Sequence, residues 1–209
     1  MIIAKSENNS EFKPVPAGMH LARCYRIIDL GTQKSTWQGA ESYKRKIMMQ
    51  FEIHGEDESG KPIVTGKGEP MSISKNYTLS LHENARLSID LESWRGAAFT
   101  ADERRGFDLE RILGAWAMVS IATAQGSDGK DYTNIVNINS VPAAIKKAGL
   151  PDGFNDAKMF SIDKPDMALF ESFGDKLKDK IKSSPEWQSK NGKSQNLSND
   201  DYENDSIPF

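Results

Sequence analysis

From Ser42 to His54 the chain reads Ser-Tyr-Lys-Arg-Lys-Ile-Met-Met-Gln-Phe-Glu-Ile-His, and no other run constrains the fold as strongly. Ile47, Met49, Phe51 and Ile53 alternate with Lys46, Met48, Gln50 and Glu52. Side chains along a strand point to opposite faces in turn. This period predicts a strand with one apolar face in a core and one face left for solvent or a ligand. The free face begins basic, with Lys44 and Lys46, and Tyr43 and Arg45 stand beside them. Such an end is either a solvated strand terminus or one wall of a nucleic-acid groove, and its neighbours have to decide.

Before it, Gly18 leads into a long extended stretch, Met19 to Leu30. Neither parity is purely apolar there: Leu21 sits beside Ala22 and Cys24, and Ile27 beside Ile28. A strand that swaps faces midway predicts a bulge. Thr32 to Ser42 reads as a loop with Trp37 near its middle, a ring that either folds back on the core or offers a stacking face. After it, Met71 to Leu81 is a third strand, with Ile73, Tyr77, Leu79 and Leu81 on one parity and Lys75 interrupting them. Ser80 and Glu83 fit a capping box for a helix whose Leu87, Leu91 and Trp94 share a face and which stops at Gly96. Thr100 and Glu103 form a second box. Trp116 to Thr123 is apolar on both faces, Gly126-Ser-Asp-Gly129 signals a hairpin, and Tyr132 to Val141 is the returning strand. Three strands, a helix and two more strands match an all-β core, a five-stranded OB-fold Greek-key barrel.

The expected division is a flexible arm at 1–16, the barrel at 17–142, a linker and C-terminal amphipathic helix at 143–184, and a disordered acidic tail at 185–209. In the third segment Pro165 and Asp166 open a helix. Its stripe of Phe170, Phe173, Leu177 and Ile181 docks on the barrel or on a partner subunit. Lys176, Lys178, Lys180 and Lys182 surround it, and Asp175 and Asp179 dilute a membrane-surface reading. Beyond Ser184 the composition is too polar to bury.

The net charge of −3 argues against a nucleic-acid binder until the tail is set aside. Asp200, Asp201, Glu203 and Asp205 lie in a stretch without Lys or Arg, and without them the chain is close to neutral. Cys24 is the only cysteine, so no disulfide forms within the chain, which fits a reducing cytoplasm. No apolar run is long enough for a bilayer, and neither a membrane association nor a cofactor is expected. His20, His54 and His82 are too scattered for a metal site, and Asp152, Asp156 and Lys158 are too tightly spaced for a nuclease centre, so the chain is read as not an enzyme. Gly60 to Lys67 misses the spacing of a phosphate-binding loop.

The last residues, Asn199-Asp-Asp-Tyr-Glu-Asn-Asp-Ser-Ile-Pro-Phe209, are similar to the acidic tip of bacterial single-stranded DNA-binding proteins, with Ser206 in place of the last aspartate. Pro14-Val-Pro-Ala-Gly18, Asp29-Leu-Gly-Thr-Gln33, Tyr77-Thr-Leu-Ser-Leu-His82, Leu91-Glu-Ser-Trp-Arg-Gly96 and Phe107-Asp-Leu-Glu110 resemble tailed-bacteriophage OB-fold single-stranded DNA-binding proteins. The resemblance implies a replication or recombination protein of the host cytoplasm, a monomer or weak self-associator. It would coat single-stranded DNA and recruit replication and recombination proteins through Asp205, Ile207, Pro208 and Phe209. On the barrel the expected DNA contacts are Trp37, Tyr43, Lys44, Arg45, Lys46, Met48, Lys75, Tyr77, Lys130 and Tyr132. Tyr77 is equally a core residue by parity. The rival reading is a protein-interaction or assembly module without a DNA role, and stacking does not separate DNA from RNA.

Overall fold

The computed structural model describes residues 14–37, 39–126, 129 and 131–196. Its centre is a long antiparallel hairpin of β1 (Gly18–Trp37) and β2 (Ala40–His54), paired from Leu21 opposite His54 to Trp37 opposite Ala40. β3 (Ser72–Thr78) lines the free edge of β2. β4 (Trp116–Gln125) pairs with the first part of β1, and β5 (Asp131–Asn139) pairs with β4, which gives the order β3-β2-β1-β4-β5. A sixth strand, β6 (Lys158–Phe160), joins β1 in parallel at Arg26, Ile27 and Ile28. The sheet curls until Lys75 on β3 donates from Nζ to the Val136 carbonyl of β5, at 3.4 Å. The result is a mostly-β, barrel-like core.

The expected face swap in β1 takes the form of two register shifts, between Cys24 and Arg26 and between Asp29 and Gly31. Ala22, Cys24 and Ile27 therefore point into the barrel with Ile47, Met49, Phe51 and Ile53, whereas Ile28 and Leu30 point away from it. Burial in that core pushes the Cys24 thiol up to about 12, so it is a packing group and not a nucleophile. Helix α1 (Arg86–Arg95) closes the barrel with Leu87, Leu91 and Trp94, and Trp94 meets Phe51 at 5.7 Å between ring centroids. Its start corrects the sequence reading. The N-cap is Ala85 without a side-chain bond, because residues 80–85 first make a turn closed by the Ala85 amide on the His82 carbonyl. The box at Thr100 and Glu103 forms as expected and opens α2 (Ala101–Arg105). A 3-10 turn, Leu109–Ile112, precedes β4.

The chain after β5 is more structured than its composition predicts. Following α3 (Ala143–Ala148) and β6, the single expected helix is two, α4 (Met167–Glu171) and α5 (Asp175–Lys182), with Gly174 as the N-cap of the second. The expectation of disorder from residue 185 is overturned for its first part, because α6 spans Pro185–Asn196. Trp187 stacks on Phe170 at 4.5 Å, and Phe160, Phe170 and Phe173 complete an aromatic core with Ile28, Leu30, Ile162 and Ile181. Polar sequence misled here because one Trp and one Glu carry the docking. Glu186 accepts from the amide and the hydroxyl of Thr32. At Gly31, where φ is +67, a side chain would run into Ser184 at the α5–α6 junction. No helix among the described residues is long and apolar enough to cross a membrane.

Candidate nucleic-acid interface

The regular alternation of β2 puts Lys44, Lys46, Met48, Gln50 and Glu52 on the face opposite the barrel core. Their partners on β1 are Gln33, Gly31, Ile28, Arg26 and Arg23, and on β3 Lys46, Met48, Gln50 and Glu52 meet Thr78, Asn76, Ser74 and Ser72. The aromatic core of the C-terminal lobe sits on the β1 side of this face. Met48 packs against it, which removes Met48 from the DNA contacts expected of it. The β3 side stays open: Ser72, Ser74 and Asn76 are exposed, and Thr78 is half-buried. Seven residues of β3 give a strip about 20 Å long at the usual rise of a strand.

Two carboxylates on or near this face are already neutralised. Glu52 is fully buried and accepts from the Phe154 amide (3.0 Å), the Asn155 amide (2.8 Å) and side chain (2.6 Å), and Arg23 (3.2 Å), with His54 at 3.2 Å. Burial alone would raise its carboxyl, but the hydrogen bonds from Asn155, His54 and Phe154 together hold it below the usual carboxylate range. Asp29 takes Arg45 through both carboxylate oxygens, at 3.2 and 2.5 Å, and Asp163 adds a contact to the same guanidinium at 3.1 Å. The Asp29 hydrogen bond raises the already high Arg45 pKa. Arg45 is therefore a clamp on the C-terminal lobe and does not face the strip, a correction that follows from its odd parity.

Lys75 and Tyr77 are likewise withdrawn. Both point at Asp90 of α1, with Lys75 Nζ and the Tyr77 hydroxyl each 2.8 Å from Oδ2. Burial lowers the Lys75 pKa despite that carboxylate, and burial, then Asp90, raises the phenol of Tyr77, which is only 3% exposed and has no free ring face. Tyr43 is 64% exposed, but its register partner is Lys34, and alternation puts it on the opposite face from Lys44 and Lys46. Tyr132 is 49% exposed and lines a cleft of about 470 Å³ with Pro14, Val15, Ser72, Ser74 and Thr133, at the end of the β3 strip. Trp37 ends β1 opposite Ala40, not in a loop. Lys130 and the tip residues Asp205, Ile207, Pro208 and Phe209 lie outside the described residues.

Cations without a carboxylate partner occur over much of the described surface, Lys67, Arg111, Lys146, Lys147 and Lys176 among them, but one group of four lies on or beside this face. Among the described residues Lys44, Lys46, Arg26 and Lys180 have no carboxylate partner, whereas Arg23, Lys34, Arg45, Lys75, Arg86, Arg95 and Arg104 each have one. Lys46 donates to the Ser35 hydroxyl at 2.5 Å. Burial, and next the charge of Lys46, lower the Lys180 pKa, so α5 adds a further cation beside the hairpin. Arg26 and Lys180 were not expected from sequence. The bulge foreseen in β1 was the only signal for Arg26, because it moves that residue to the outer face; nothing local marked Lys180. Among the described residues no three His, Cys, Asp or Glu side chains converge as a metal site. No protein-family model matches this chain, and no curated protein matches it.

Proposed function

We propose that this chain is an OB-fold protein that binds single-stranded DNA without sequence preference. The observation that carries the reading is a group of cations without carboxylate partners, Lys44, Lys46 and Arg26 on one sheet face and Lys180 beside it, on a face whose buried Glu52 is internally paired. Supporting it are the strand order, with β1 paired to both β2 and β4, a helix between β3 and β4, and the return of β5 toward β3. OB barrels take single strands across their second and third strands, between the loops at the two ends. In this reading the phosphates follow Lys44 and Lys46 onto the β3 strip. Bases stack on Tyr132 and, on the sequence reading alone, on Trp37, at about 1–3 kcal/mol per base. Ser, Asn and Thr along β3 offer hydrogen bonds to any base, which suits binding without preference.

The place of the protein in phage replication or recombination, in the host cytoplasm, and the recruiting role of Asp205, Ile207, Pro208 and Phe209 rest on the resemblance of the sequence alone. Titration with oligo(dT), followed by Trp fluorescence, tests the reading. Quenching that saturates, weakens steeply with salt and is poorly competed by duplex supports it, because phosphate neutralisation releases counterions. Absence of binding at low salt overturns it in favour of a protein-interaction module. Deleting residues 196–209 is expected to tighten binding at low salt and to abolish partner capture.

A further inference from the structure

We propose that Arg26 is a phosphodiester-binding residue held ready by the C-terminal lobe, an assignment that rests on the single-strand reading of this face. Arg26 lies in mid-sheet, with Gln50 opposite it on β2 and Lys158 opposite it on β6. Its side chain is half-buried, yet no carboxylate among the described residues pairs with it, and its Nε is buried without a hydrogen-bond partner. Gln50, the neighbour across the ladder, also keeps a buried Oε1 without a partner. The protein thus leaves hydrogen-bonding capacity unused at two adjoining positions, where buried polar atoms are ordinarily satisfied.

What holds the guanidinium is aromatic. Its central carbon is 5.3 Å from the Tyr25 ring centroid and 5.8 Å from that of Phe173, within cation–π range of both. Tyr25 is the extra residue of the first β1 bulge, and Phe173 belongs to the lobe, buried between α4 and α5. The sheet and the lobe therefore grip the side chain from two sides without neutralising it. A planar, permanently charged fork fixed in this way matches the paired oxygens of a phosphodiester, and its ordering is complete before the ligand arrives. Lys46 lies four residues along β2 from the Gln50 position, about 13 Å at the usual strand rise, so the same strand can meet both cations. Phe173 is a positioning residue in this scheme, and docking of the lobe is coupled to binding of the strand.

The test is oligo(dT) affinity of the full chain as a function of salt, for wild type, Arg26→Gln, Arg26→Lys and Phe173→Leu. Arg26→Gln is expected to weaken binding about tenfold at low salt and to reduce the slope of log affinity on log salt by about 0.7, the value for one single-strand phosphate contact. Arg26→Lys keeps the charge, and so the slope, but loses several-fold in affinity because the fork is gone. Phe173→Leu keeps the lobe folded, checked by hydrogen exchange, and weakens binding about threefold. A structural role alone would move thermal stability and leave the slope at its wild-type value. Wild-type affinity and slope in both Arg26 variants, with wild type binding normally, overturn the assignment and leave the single-strand reading intact. If Arg26→Gln fails to fold, Arg26→Lys decides, and wild-type affinity there overturns it. No binding by wild type overturns both.

Discussion

The two sides of β1 carry two different cores. Toward the barrel, Ala22, Cys24 and Ile27 meet apolar side chains of β2, β4 and β5, and every neighbouring strand is tied by a long ladder interrupted only by single bulges. On the other side, Ile28 and Leu30 meet Phe160 of β6, Phe170 of α4 and Phe173 at the α4–α5 junction. That second core has only the three residues of β6 as backbone pairing to the sheet. It is fastened instead by side-chain hydrogen bonds at four places: Glu52 on residues 154 and 155, Asp29 and Arg45 on residues 162 and 163, Gln33 on the Lys180 carbonyl, and Glu186 on Thr32. Alternation in long strands builds a core that cannot be lost in part, whereas a core built by rings on short elements depends on charged clasps. The difference bears on function because the clasped lobe forms one wall of the proposed groove.

The largest expected effects separate the two cores. Phe51→Ala should cost about 3–5 kcal/mol and lower the single cooperative transition of the whole protein. Phe170→Ala removes a comparable ring but should appear as lost amide protection confined to 158–196 with the barrel still protected; a uniform loss would show that the cores are one unit. Next, Glu52→Gln should cost about 3 kcal/mol, because half-buried Arg23 and the amides of residues 154 and 155 lose their charged acceptor, measured by denaturant unfolding. Acid should act on the lobe first. The pKa values of Glu52 and Glu186 are lowered by folding, so the stability they contribute is complete above the unfolded glutamate value of about 4.3 and is lost as pH falls through the lower folded-state values. Near-ultraviolet spectra of the Trp187 environment should change before far-ultraviolet signal does; simultaneous loss would contradict the clasp model. The smallest effects are on the open strip. Lys44→Ala and Lys46→Ala should leave stability unchanged and each reduce the salt slope for oligo(dT) by about 0.7, while Lys34→Ala, paired to Glu41, changes neither.

Much of the barrel was legible residue by residue. The β2 alternation, the bulged β1, the helix face of Leu87, Leu91 and Trp94, the Thr100 box and the hairpin after β4 are all local patterns, and the structure contains each of them. Less of the site was. Lys44 and Lys46 are where alternation puts them, but Arg45, Met48, Lys75 and Tyr77 each had a partner elsewhere in the chain that no window of sequence reveals. Asp90 lies 15 residues from Lys75, and Asp163 lies 118 from Arg45.

By itself, then, the sequence determined periodicity: which segments are strands, which face of each is apolar, and where the chain turns, since all of these follow from the geometry of a few consecutive residues. Only the tertiary structure decided which charges are free. A cation becomes available to a ligand when no carboxylate folds against it, and that depends on contacts closed over tens to more than a hundred residues. The same closure turned a polar C-terminal stretch into a helix, because Trp187 and Glu186 found an aromatic core and a pair of donors already waiting on β1 and its lobe.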